Sequence, residues 1–288
     1  MKNFSFLFIT LIAICLIFGG CGSDNSTTPT GPITHTYSIT PILYNLIDLA
    51  TIGNTGHYEL WAKIGSENIS ILKFDIAGNT IRKVGGDQVG TLGTQFTVTN
   101  SAALTTATSV FITVEPSGDS DTTPSNQMIL KGNVVDSKTT LNPGYAIIEG
   151  GNTQLLVSSD VANISGSYRL VSNQKISFTS ETGSPLLTLS ALNSNWTYGA
   201  WLVNKNTNTA ELIGKFATAE SAPDKTFSSS ITNGQYDVII TAEPAGSTNT
   251  QPFTLLKLLY TTIQPSASGT NPLNYNIQTL PKGTAIIY

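Results

Sequence analysis

Charge is scarce in this chain. Only 11% of its 288 residues are Asp, Glu, Lys or Arg, against roughly a quarter in ordinary soluble domains. Its 14 basic residues form no run and are outnumbered by 18 acids, which excludes the basic stripe that nucleic acid requires. Cysteine is nearly absent: Cys15 and Cys21 are the two. Histidine is limited to His35 and His57, in neither an HxxxH nor an HExxH arrangement, so a histidine metal site or a Ser-His-Asp triad has little to draw on. GxSxG, a P-loop and the Rossmann glycine pattern are missing. Gly85-Gly86 and Gly90 precede no helical segment that could make a phosphate cradle. These absences predict a protein that is not an enzyme and carries no cofactor and no metal.

The N-terminus is informative. Met1-Lys2-Asn3 is short and basic, Phe4 to Phe18 is almost wholly apolar, and Gly19-Gly20-Cys21 follows. That is the order of a secretory signal. Ile17-Phe18-Gly19-Gly20-Cys21 resembles a bacterial lipobox, with Phe18 where Leu is usual. The resemblance implies cleavage before Cys21 and diacylglycerol on its thiol. The apolar run is short of the ~20 residues that span a bilayer, which argues against an uncleaved anchor. Residues 1–20 are therefore expected to be a signal peptide. Residues 21–34, with the small, polar, Pro-broken stretch GSDNSTTPTGP, are expected to be a flexible tether. With Lys2 and Cys15 removed, the mature chain holds 13 bases against 18 acids, and Cys21 is left alone, so no intrachain disulfide can form.

Beyond the tether the sequence repeats itself. Tyr58-Glu59-Leu60-Trp61 parallels Tyr198-Gly199-Ala200-Trp201. Phe111 to Gly118 (FITVEPSG) parallels Ile239 to Gly246 (IITAEPAG), and Gly144 to Ile148 parallels Gly283 to Ile287. Ile33 to Tyr37 faintly parallels Ile164 to Tyr168. All four matches keep their order. Strand signals run throughout, at Gln95 to Thr99, Val110 to Val114, Ile176 to Thr179, Ala200 to Val203 and Tyr236 to Thr241. The best helix candidate is the short, uncapped Tyr44 to Ala50. The chain therefore reads as all-β, with two tandem antiparallel Ig-like β-sandwiches, 35–158 and 159–288. A hairpin over Tyr145 to Ser158 belongs to the first half or marks the boundary.

The paired motifs resemble the extracytoplasmic C-terminal domain of anti-sigma-K factors, which carries a Tyr-x-Leu-Trp strand, a Gly-x-Phe segment and a Val-x-Glu-Pro-x-Gly turn followed by Pro. Here these are Tyr58 to Trp61, Val114 to Gly118 and Pro124, then Tyr198 to Trp201, Gly214-Lys215-Phe216, Glu243 to Gly246 and Pro252. The resemblance implies a sandwich outside the membrane. Only the leader precedes the first repeat, so no sigma factor is expected as a partner.

The motif residues Tyr58, Trp61, Glu115, Pro116 and their counterparts Tyr198, Trp201, Glu243, Pro244 read as structural. Tyr and Trp three apart on a strand face opposite sides, with one ring in the core. The Glu-Pro pairs end strands, the carboxylate accepting N–H bonds from the following turn. Asp119-Ser120-Asp121 reads as a solvated acidic loop in preference to a calcium loop, and His57 as solvated at a turn. Trp196, which has no counterpart, is the candidate exposed ligand-binding aromatic. The expected function is a non-enzymatic, lipid-anchored cell-envelope protein acting as an interaction or structural module. Its expected partners are the membrane, through the lipid, and an envelope protein or glycan. Gly22, in place of the Asp that retains lipoproteins at an inner membrane, favours the outer membrane. One alternative is a carbohydrate-binding module. Another is a hydrolase built on Glu115 or Glu243, which requires a second carboxylate within about 5–10 Å. Cys21→Ser is expected to abolish lipid labelling and release the protein from membranes, because stable anchoring needs the chains attached there. Continued palmitate incorporation by that variant would refute the assignment.

Overall fold

Short β-branched runs punctuated by Gly, Asn and Ser fold here into strands. The computed structural model describes residues 34–86, 89–91, 94–143, 146–149, 152–155, 164–231, 235–264, 269–275 and 279–288. The leader, Cys21, the tether up to Ile33 and Tyr145 lie outside them. Thr34–Tyr288 is one compact unit. Its first half contains β1 (His35–Tyr44), β2 (His57–Ile64), β3 (Glu67–Ala77), β4 (Thr80–Lys83), β5 (Val89–Thr91), β6 (Phe96–Asn100), β7 (Ser109–Glu115), β8 (Met128–Val135) and β9 (Lys138–Pro143). Then come β10 (Ala146–Glu149), β11 (Asn152–Leu155), β12 (Ser165–Val171), β13 (Lys175–Ser177), β14 (Leu187–Thr188) and β15 (Ala191–Leu192). The chain ends with β16 (Trp196–Asn204), β17 (Thr209–Phe216), β18 (Lys225–Thr226), β19 (Tyr236–Pro244), β20 (Lys257–Thr262), β21 (Thr270–Tyr275) and β22 (Lys282–Ile287). The fold is all-β. Among the described residues the helical elements are single 3₁₀ turns, and no helix is long and apolar enough to cross a membrane. The helix expected over Tyr44 to Ala50 does not form: β1 runs to Tyr44, and a 3₁₀ turn at Leu49–Ile52 follows, capped by Asp48 and ended by Gly53 at φ 73°.

Two large antiparallel sheets make a sandwich-like arrangement. One has the order β5-β4-β3-β2-β7-β8-β9-β22-β1-β6. The other has the order β17-β16-β19-β20-β21-β12-β13-β18, with β14 beside β12. The matching motifs occupy matching places. Tyr58 sits opposite Phe74 and Val114, and Tyr198 opposite Phe216 and Ala242. A bulge falls just before each tryptophan, between Leu60 and Trp61 and between Ala200 and Trp201. A bulge inserts one extra residue and re-aims the side chains beside it, so both copies turn the same residues to the same face. Each tyrosine enters the main core against a phenylalanine, Tyr58 on Phe74 and Tyr198 on Phe216. Each hydroxyl is satisfied by a backbone carbonyl, Ile47 O at 2.8 Å and Ser190 O at 2.6 Å.

One strand crosses between the halves. β22, which belongs to the second repeat by sequence, is hydrogen-bonded between β9 and β1 of the first, with Ile39 opposite Ile287 and Leu141 opposite Gly283. In the second sheet β21 and β12 pair directly. The hairpin β10–β11 forms, but β10 pairs with β15 of the second half. The two repeats are therefore joined by exchanged strands as well as by their linker. Removing residues 282–288 should strip hydrogen-exchange protection from β1 and β9 while β16 and β19 keep theirs, because only the first sheet loses a ladder on both sides. Unchanged protection in β1 would show that β22 does not hold that sheet.

Candidate functional site

β2, β7, β16 and β19 are buried on both faces over nearly their whole length, which alternation alone does not predict. The inner face of the first sheet is apolar: Tyr58, Leu60 and Ala62 with Val110, Ile112 and Val114. The outer face of the same strands is polar. His57 lies opposite Glu115, Glu59 opposite Thr113, and Trp61 opposite Phe111. The loop from Pro116 to Gln127 covers it. That loop begins with a turn closed by Asp119 N–H to Pro116 O at 3.2 Å, and Gly118 takes φ 74°. The second copy repeats it with Ser247 N–H to Pro244 O at 3.1 Å and Gly246 at φ 76°. Only glycine adopts that conformation without strain, which explains the Glu-Pro-x-Gly pattern.

Under each loop lies the same box. In the second repeat Trp201 Nε1 and Thr241 Oγ1 donate to Glu243 Oε1 at 2.7 and 2.6 Å, and Lys215 Nζ pairs with Glu243 Oε2 at 3.2 Å. Lys215 also donates to Ser247 Oγ at 2.8 Å. Gly199 leaves the space, since a Cβ there would lie 2.4 Å from Glu243 Oε1 and 2.6 Å from Trp201 Nε1. In the first repeat Trp61 Nε1 donates to Thr113 Oγ1 at 2.9 Å, and Thr113 donates to Glu115. Ser125 N–H reaches both oxygens of Glu115 at 3.0 and 3.1 Å. Both tryptophans are buried on the face opposite their tyrosines, the alternation expected for residues three apart, and Trp201 packs with Val203 and Ile239 outside the main core.

The first repeat adds three ionisable groups. Glu59 replaces Gly199 and is 0% exposed; His57 replaces Thr197 and is 6% exposed; Asp119 replaces Ser247. Ser70 Oγ donates to Glu59 Oε1. Lys73 Nζ stands 2.9 Å from Asp119 Oδ2, 3.4 Å from Glu59 Oε2, and donates to Asp119 O at 3.0 Å. His57 Nε2 lies 3.9 Å from Glu59 Oε2. Burial raises the Glu59 carboxyl above its ordinary range despite help from Ser70 and Lys73. Burial, with the Lys73 charge, lowers the His57 imidazole. Burial also works against the Lys73 ammonium, but its bond to Asp119 and the Glu59 charge outweigh this and raise it. That same bond lowers Asp119.

Two sequence expectations are corrected here. His57 is not solvated, because it faces the outer side of β2, where the loop folds over it. Asp119 is not a free loop acid but half of a tight ion pair; Asp121 remains exposed and accepts from Thr123 N–H at 2.6 Å. Glu59 does put a second carboxylate on the face that carries Glu115, but both are sealed from solvent, so a saccharide cannot reach them. Glu59, Ser70 and Lys73 stand in no motif with a chemical role of its own. The available signal was the polar alternation His57, Glu59 in an otherwise apolar strand.

Further along the outer face, Trp61 stacks on Phe111 at 6.3 Å and 9°, and beyond that stack lies a cleft of about 390 Å³. Lys63, Asn68, Lys131 and Asn126 line one side, and Asn193 and Asn195 of the second repeat the other. Among the described residues no carboxylate lines it, and neither lysine enters an ion pair. Trp196 borders it but is only 3% exposed, because its ring joins the main core; the expected exposed platform is not there. Cys21 lies outside the described residues. Comparison with known proteins gives no match to a family model, a curated protein or a solved structure.

Gly199→Ala is expected to destabilise the protein by about 2 kcal/mol or more, since the added methyl overpacks the box and disturbs a buried hydrogen bond. Urea denaturation checks it; a change under 0.5 kcal/mol would mean that the box is not tightly closed.

Proposed function

We propose that this chain is an exported cell-envelope protein, anchored by lipid on Cys21 to the outer membrane, whose two Ig-like repeats bind a ligand and do not catalyse. The observation that carries the reading is the cleft between the repeats. Its volume falls within the range of small-molecule sites, which are concave and carry few, well-placed polar groups. Its lining offers two lysine ammoniums and four asparagine amides with no opposing acid. That chemistry suits a hydroxyl-rich ligand that also carries a carboxylate or sulfate, such as an acidic glycan. With Trp196 buried, hydrogen bonds and charge recognise the ligand in place of ring stacking.

Lys63→Ala combined with Lys131→Ala is the direct test. Binding of the full chain to acidic polysaccharides should fall at least tenfold, while the melting temperature stays within the small range of surface substitutions. Binding by the unsubstituted protein should also weaken as salt rises, because exposed charges are screened. Equal binding by the double variant, or no binding to any acidic glycan, would reject the cleft as a glycan site.

A further inference from the structure

We propose that His57, Glu59 and Asp119 form a binding site for one divalent cation of the zinc class. Each residue brings a donor atom, and these atoms lie within 4.8 Å of one another. A cation about 2.1 Å from each, in tetrahedral coordination, draws donors to about 3.4 Å apart, so donors now within 4.8 Å of one another close by up to about 1.4 Å. One imidazole and two carboxylates suit zinc.

The cluster is more than a group of acids. His57 Nε2 is buried without a hydrogen bond, and Glu59 Oε2, also buried without one, meets only the Lys73 ammonium at 3.4 Å and the imidazole at 3.9 Å. Buried polar atoms are nearly always satisfied, and an exception calls for a missing water or ion. Both point to the same place, toward Asp119 on the covering loop.

The second repeat serves as an internal control. It holds Thr197, Gly199 and Ser247 at the three matching positions, and its Trp201–Thr241–Glu243–Lys215 box is complete without them. The ligand-type residues are therefore not required by the fold. They add two carboxylates to the one that the box already needs, against a single lysine. A dication neutralises that excess. The Lys73 side chain is 26% exposed and can swing outward as the cation enters, exchanging Glu59 and Asp119 from the ammonium to the metal. This site shares no residue with the proposed glycan-binding cleft.

The test titrates the full chain, stripped with a chelator, with Zn²⁺ alone, by calorimetry and by melting temperature. One equivalent should bind saturably and raise the melting temperature. His57→Thr and Asp119→Ser, which install the second repeat's residues, should each weaken binding at least tenfold, whereas Lys73→Met should tighten it. Failure of the unsubstituted chain to bind overturns the proposal, and so does binding by Lys73→Met alone, which would make the ammonium the permanent occupant. Unchanged affinity in Asp119→Ser, a loop substitution that leaves the strands intact, also overturns it.

Discussion

A carboxylate under a sheet's covering loop is expensive unless it is hydrogen-bonded and paired, and both repeats are organised around that constraint. Glu115 and Glu243 are each buried to within 2%. For Glu243 the answer is the Trp201 indole N–H, the Thr241 hydroxyl and Lys215 on the next strand; for Glu115 it is the Thr113 hydroxyl and the loop backbone N–H of Ser125. The bulge before the tryptophan, the glycine in the turn and the proline after the glutamate all follow from the need to bring those groups to one oxygen pair. The motif that repeats in the sequence is thus a polar box on the outer face, backed in the core by a tyrosine–phenylalanine contact in each copy.

The copies differ in how they close the box. In the second, Gly199 removes a side chain so that Glu243 meets Trp201 directly. In the first, Glu59 fills that space, Glu115 meets Thr113 instead, and the indole reaches it only through the threonine. The second arrangement is a neutral ion pair. The first carries surplus negative charge, with two atoms that no hydrogen bond satisfies. Its loop also supplies Thr123 to Asn126 to the cleft wall, so whatever holds Asp119 in place also steadies that wall.

The strands were legible because β-branched alternation and turn residues are local signals. Phe96–Asn100, Ser109–Glu115 and Tyr236–Pro244 appear within a residue or a few of their expected positions. The strand-ending role of Glu115-Pro116 was legible too, since proline acts locally. The polar cluster was not. His57 and Glu59 are polar residues near a turn, and their burial depends on a loop that leaves β7 some 60 residues later. Trp196 misled for the converse reason: it lacks a counterpart in the other copy, yet it enters a core built by the surrounding second half. The strand exchange was invisible because the sequences of Gly144 to Ile148 and Gly283 to Ile287 are alike, and likeness cannot say which sheet each will join.

The insertion of β22 reverses the order in which the protein is made and finished. The ribosome delivers β1 and β9 early, but the strand that lies between them comes after the whole second repeat. Ile39 meets Ile287 across almost the full length of the chain, and contacts of such separation form slowly. Until then the first sheet has two bare edges, which are sticky surfaces that other chains can pair with. The half synthesised first is therefore the half completed last, and its sheet stays open to aggregation until β22 has been made and inserted.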